Sequence, residues 1–149
     1  MSVSQAVVGT TYPPITPYRV GREKIREFAA AVKATDPAHH DVAAARAAGH
    51  ADLVAPPTFA IVVSQRADAA LVADPAAGID FSRVVHTEQR FTHHRPVVAG
   101  DELTAAVTVD AVRPLGSGAM VTSRVEVTTV DGEKVATTVS SLLVRGEDQ

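Results

Sequence analysis

Hydrophobic positions recur at two periods along this chain. Over residues 22–33, REKIREFAAAVK, the apolar residues Ile25, Phe28, Ala29 and Val32 fall at i, i+3, i+4 and i+7, which predicts an amphipathic helix. Thr35-Asp36-Pro37 ends it on paper, because a residue before proline is biased out of the α region. Asp41 to Ala48 is alanine-rich and reads as a short helix, with Asp41 as its N-cap and Gly49 as its stop. After the break at Ala55-Pro56-Pro57-Thr58, residues 58–72 are apolar nearly all round, with Gln65, Arg66 and Asp68 as the polar exceptions. A helix of that kind belongs in the middle of a fold. From residue 84 onward the period becomes two. Leu103, Ala105, Val107, Val109 and Ala111 alternate with polar or small residues, and so do Val121, Val125 and Val127.

Turn signals at Ala99-Gly100-Asp101, Leu115-Gly116-Ser117-Gly118 and Asp131-Gly132 separate the strand-like runs. The expected order is a short strand near Tyr18–Val20, helices, one buried helix, then a four-strand antiparallel meander. Helices grouped before strands give an α+β class. An antiparallel sheet with one apolar face needs a cover, and the 58–72 helix is the segment apolar enough to supply it. A sheet wrapped around one central helix is the hot-dog arrangement. No internal repeat interrupts it, and a single domain over residues 1–149 is expected.

Composition narrows the function classes. A net charge of −3 and a pI near 6.0 offer no basic footprint for nucleic acid. No apolar run approaches the ~18 residues of a membrane span. The opening MSVSQAVVGTTYPP lacks the basic-then-apolar pattern of a signal peptide, and the absence of cysteine fits a reducing compartment, so a cytoplasmic protein is expected. It also leaves no thiolate nucleophile. The six histidines, His39, His40, His50, His86, His93 and His94, have no metal-ligand spacing, because neighbours on a strand face opposite ways. Surface or interface placement is expected for them, with no metal and no cofactor. No glycine pattern opens a helix in the way a dinucleotide site requires. The remaining chemistry-bearing cluster is ATDPAHHD, residues 34–41. There an acid and a histidine at a helix end can share a water and move its proton, or Asp36 and Asp41 can be ordinary turn and cap residues.

Three stretches in order, GREKIREFAAAVKATDPAHH, LVAPPTFAIV and RFTHHRPVVAGDEL, resemble the MaoC-like, R-specific enoyl hydratase/dehydratase family of hot-dog proteins. More narrowly they look like the A-type (HadA-like) subunit of the actinobacterial type II fatty-acid-synthase (3R)-hydroxyacyl dehydratase. The resemblance implies an acyl thioester of acyl-carrier protein or coenzyme A as substrate. It also implies a homodimer, or a heterodimer with a B-type subunit. Members that catalyse carry an Asp and a His five residues apart, in a pattern like G-D-x-N-P-x-H, and a glycine N–H in an A-H-G context that donates to the thioester carbonyl. On that pattern His39 takes the histidine's place, Asp36 the asparagine's and Ala34 the aspartate's. Ala55 matches the alanine of A-H-G, so Pro57, which has no N–H, stands where the glycine would be. The resemblance therefore implies His39 and Asp36 as a degenerate catalytic pair, and Ala55, Pro57, Thr58, Phe59 and Val63 around the acyl group. The complete Asp/His set is then expected on a partner.

Overall fold

The computed structural model describes residues 2–147. The first helix, α1 (Arg22–Ala31), buries Ile25 and Ala29 and leaves Phe28 half-buried against the core. Val32, expected on the same face, is 48% exposed, because α1 stops before it. The stop is a left-handed residue rather than the Asp-Pro pair. Lys33 takes φ +59°, and the Ala34 amide donates 2.8 Å back to the Ala29 carbonyl. Lys33→Gly is thus expected to stabilise the fold by about 0.5–1 kcal/mol, since glycine adopts that conformation without a Cβ penalty; denaturant unfolding measures it. The short helix α2 (Val42–Ala47) begins at Asp41, whose side chain accepts from the Ala43 amide at 3.1 Å, and ends at Gly49 with φ +96°.

The central helix is α3 (Ile61–Ala73); Thr58, Phe59 and Ala60 form the turn that enters it. Val63, Ser64, Ala67 and Leu71 make its buried face, and Ala60 lies just outside with 1% exposure. Ala70 is half-buried. The small residues let the sheet approach closely, and Phe59 packs edge-to-face on Phe28 at 5.3 Å, joining α1 to the core.

Five antiparallel strands form one sheet: β1 (Tyr18–Arg19), β2 (Val84–His93), β3 (Glu102–Leu115), β4 (Gly118–Thr129) and β5 (Lys134–Val144). Their order is β1-β3-β4-β5-β2. The expected four-strand meander is therefore wrong at its first step: β2 pairs with β5 and not with β3. Tight turns at Gly116-Ser117 and around Gly132 (φ +93°) do make hairpins of β3–β4 and β4–β5. Residues 94–101 contain Pro96 and are too long for such a turn. They instead pass the start of β5, where the His94 amide donates to the Val135 carbonyl, and reach β3 on the far side. A second departure lies within β3. A bulge between Val109 and Ala111 turns Ala111 outward and Val112 inward, breaking the alternation read from sequence.

The sheet curls around α3, which packs on β3 and β4, and on those strands Leu103, Val107, Val109, Val121 and Val125 have no exposed surface. Each such side chain contributes about 1.5–3 kcal/mol. This is the α+β hot-dog layout. The free edge of β3 is covered by the N-terminal arm, where Gly9, Tyr12 and Ile15 donate to Val109, Val107 and Ala105. The outer edge of β2 has no such cover among the described residues.

Arg22 at the start of α1 grips Asp52 with two bonds of 3.0 and 2.8 Å, anchoring the loop that leads to residues 53–57. That guanidinium, helped by the Leu53 amide, holds the Asp52 carboxyl down at about 2. A carboxylate whose proton affinity falls on folding stabilises fully above its ordinary value of 3.8, and the benefit disappears as pH drops toward 2. Arg22→Met is expected to cost less than about 1 kcal/mol near neutrality, because the pair is solvent-screened. The difference from wild type should close between pH 4 and pH 2; urea titrations across that window would show it.

Candidate functional site

Asp36 begins the site as a cap. Its carboxylate accepts from the Ala38 amide at 2.9 Å, and Pro37 opens the 3₁₀ turn Pro37–His39 that follows. The turn presents His39 half-buried, with Nδ1 2.7 Å from the Val54 carbonyl. A carbonyl only accepts, so Nδ1 carries the proton and Nε2 of the neutral ring keeps its lone pair. His40 is turned elsewhere; its Nε2 lies 2.9 Å from the Ala34 carbonyl.

Val54 is itself held in place. Its amide donates to Ala38, the Ala55 amide to Val97, and the Ala99 amide to Leu53, while Val54 and Val98 form an isolated antiparallel bridge. The stretch PVVAGDEL thus has a structural role: it clamps the LVAPP stretch whose carbonyl fixes the His39 ring. Arg95 locks the clamp. It makes two bonds to Asp101 (2.8 and 3.1 Å), one to Glu133 (2.6 Å) and one to the Pro96 carbonyl (2.8 Å).

A cleft of about 570 Å³ opens between these segments, walled by Asp36, His39, Ala55, Pro57, His93 and His94 among others. The structure therefore brings together four of the sequence-predicted residues. Ala34, half-buried, is not on its wall. Thr58 is exposed beside it, whereas Phe59 and Val63 have no exposed surface and pack the core. Pro57 offers the cleft no N–H. Asp36 is exposed, and one of its oxygens already serves the Ala38 amide. Sequence reasoning left His93 and His94 on an unspecified surface. Their arrival follows from β2 running at the sheet edge beside β5, where its last residues meet the loop 54–57. His94 approaches Thr137 Oγ1 at 3.1 Å, and His93 stacks on Phe91 at 6.1 Å. The signal that could have found them was the length and proline of 94–101, which argues against a hairpin. Among the described residues no group of three or more His, Asp or Glu side chains is placed to hold a metal ion. No helix among them is long and apolar enough to cross a membrane.

A curled antiparallel sheet around one helix, with a histidine-bearing cleft at that helix's N-terminal end, defines a hot-dog protein. Residues 6–138 match the family described as "FAS1-like, dehydratase domain region", and the chain belongs to that family. It is 59% identical over 146 residues to the UPF0336 protein Lxx02810 of Leifsonia xyli subsp. xyli, covering 98% of each chain. A UPF0336 protein of Saccharopolyspora erythraea is 51% identical over 146 residues, 98% of this chain and 94% of the relative. Among solved structures, a MaoC-like dehydratase superimposes with a TM-score of 0.88 at 35% identity. That match covers 97% of this chain but 44% of the larger one, so the chain spans under half of that protein. The C-terminally truncated HadBC (3R-hydroxyacyl-ACP dehydratase) complex from Mycobacterium tuberculosis gives a TM-score of 0.80 at 34% identity, covering 92% and 96%.

Proposed function

We propose that this chain is an A-type (HadA-like) subunit of a cytoplasmic (3R)-3-hydroxyacyl-thioester dehydratase of fatty-acid metabolism. It binds the acyl thioester of acyl-carrier protein or coenzyme A, and a B-type partner supplies the complete Asp/His pair. The observation that carries this is the composition of the cleft. Dehydration needs a group to take the α-proton, one to protonate the departing hydroxyl, and a donor facing the thioester oxygen. The cleft has a histidine with a free Nε2, but Ala34 stands in the aspartate's place, the nearby Asp36 carboxylate is exposed and caps the Ala38 amide, and a proline stands where the donor belongs. The family and the resemblance to a heteromeric dehydratase support the reaction class. The uncovered outer edge of β2 suits a partner joined sheet to sheet.

The experiment is an assay of trans-2-enoyl thioester hydration by the chain alone and with a partner carrying D-x-N-P-x-H and A-H-G. Turnover is expected only in the complex. There His39→Ala should change the rate less than about tenfold, roughly 1.4 kcal/mol of barrier. Good turnover by the chain alone, lost in His39→Ala, would instead establish a self-sufficient enzyme using His39 with Asp36. That second reading is favoured by the two lining one cleft.

A further inference from the structure

α3 packs on β3 and β4, and a groove of about 530 Å³ opens between the helix and the β5–β2 half of the sheet. It shares no wall residue with the cleft beside His39. Ala69, Val72, Phe81, Val84 and Leu142 make most of its wall apolar. Among the described residues, Asp68 is the one carboxylate on that wall, and no lysine or arginine lines it.

Asp68 enters the groove from the middle of α3, and Ser123 Oγ on β4 donates to its Oδ1 at 3.1 Å. Its Oδ2 has no hydrogen-bond partner among the described residues. That oxygen is also absent from the fully enclosed atoms that lack one, so it keeps open surface. The neighbouring side chains have no proton to give it. A polar row crosses three strands here, with Ser123 on β4 opposite Ser140 on β5, and Ser140 opposite Gln89 on β2. Ser140 also lines the groove, but its Oγ donates to Gln89 Oε1 at 2.6 Å. His86, on the same wall, turns Nε2 to the Glu88 carbonyl at 3.1 Å. Burial accordingly pushes the Asp68 carboxyl above its ordinary range, against the pull of the Ser123 hydrogen bond and of His86.

Tying α3 to β4 does not require a carboxylate. A neutral asparagine accepts the same bond from Ser123 without the cost of a poorly solvated charge. A carboxylate set in an apolar wall with one oxygen open is a seat for a cation. Among the described residues no group of three or more His, Asp or Glu side chains is placed to hold a metal ion. The cation that fits is therefore one carrying its own apolar body.

We infer that this groove binds an aliphatic amine in its protonated form, with the ammonium on Asp68 Oδ2 and the carbon chain along Val72, Phe81 and Leu142. Ser140 Oγ, its own proton committed, offers a second acceptor. A charge-assisted bond of this kind, sheltered by apolar walls, exceeds what a neutral donor makes at the same place. The site is distinct from the cleft of the dehydratase proposal, and neither depends on the other.

The test titrates the full chain near neutral pH with n-hexylamine, hexan-1-ol and hexanoate, followed through amide and methyl chemical shifts. The amine is expected to bind about tenfold more tightly than the alcohol, and hexanoate, repelled by Asp68, more weakly than either. Shifts should centre on Ala69, Val72, Ser140 and Leu142. Asp68→Asn keeps the side chain's shape and an acceptor for Ser123, so it should fold as well as wild type. It should bind the amine and the alcohol alike. Equal or tighter binding of hexan-1-ol or hexanoate by wild type would overturn the inference. So would a preference for the amine that survives in Asp68→Asn, shifts centred elsewhere, or no shift at about 10 mM amine. The comparison of probes on wild type decides the matter even where the variant does not fold. No probe is a thioester, so a failed dehydratase assay leaves this result standing, and a failed titration leaves the dehydratase proposal standing.

Discussion

Replacing Arg95 by Ala is expected to lower the free energy of unfolding by about 3 kcal/mol, which is the cost scale for stranding one partner of a largely buried ion pair. The guanidinium is 25% exposed and the Asp101 carboxylate 13%, so neither is screened as a surface pair is. Without Arg95, Asp101 still accepts from the Val98 amide at 2.9 Å, and Glu133 in the β4–β5 turn loses its cation. Lysine keeps the charge but cannot span both Asp101 oxygens and Glu133, so Arg95→Lys should recover half of the loss or less. A double-mutant cycle with Asp101→Ala should return a coupling of about 1.5–3 kcal/mol. Because Arg95 closes the crossing segment on residues 53–55, amide hydrogen exchange at Ala55 and Ala99 should accelerate more than at Val107 or Val125. Uniform acceleration, or a loss below about 0.5 kcal/mol, would mean that the crossing holds itself by its backbone bonds alone.

The elements were legible where one local rule was enough. The apolar run after Pro57 had to be the covered helix, and alternation in β4 put Val121, Val125 and Val127 inside as read. Misreadings came where a non-local choice or a single backbone conformation decided. Nothing in RFTHHRPVVAGDEL states that β2 should pair with β5; that depends on how 94–101 crosses the sheet and on Arg95 reaching Glu133. One bulge in β3 reversed Ala111 and Val112. The candidate site divides in the same way. His39, Asp36, Ala55 and Pro57 came from matching a family pattern, and the fold gathers them in one cleft. His93 and His94 came to that cleft through topology. The polar row of Ser123, Ser140 and Gln89 could not be read at all, because its members belong together only in register across three strands.

Restoring the two missing groups is the most demanding test of the cleft. The double variant Ala34→Asp/Pro57→Ala is expected to raise kcat for enoyl-thioester hydration by the chain alone by about a hundredfold, mostly through the new amide at 57, because residue 34 lies off the cleft wall. One oxyanion donor is worth about 10²–10³ and a positioned acid/base about 10²–10⁴, so the estimate assumes that neither is ideally placed. Both act on the transition state, so kcat should move more than KM. Alanine at 57 supplies the N–H without glycine's flexibility. Pro57→Gly should therefore gain about as much as Pro57→Ala in the same background; a gain confined to glycine would point to loosening of the turn instead. Removing the proline costs about 0.5–1 kcal/mol of stability through the freer unfolded chain, which thermal unfolding can register. With a complete partner present, the same double variant should alter turnover only severalfold, because the chemistry already has its Asp/His pair elsewhere. A folded double variant that stays inactive alone would show that the thioester carbonyl does not sit against residue 57, and that the cleft beside His39 serves another purpose.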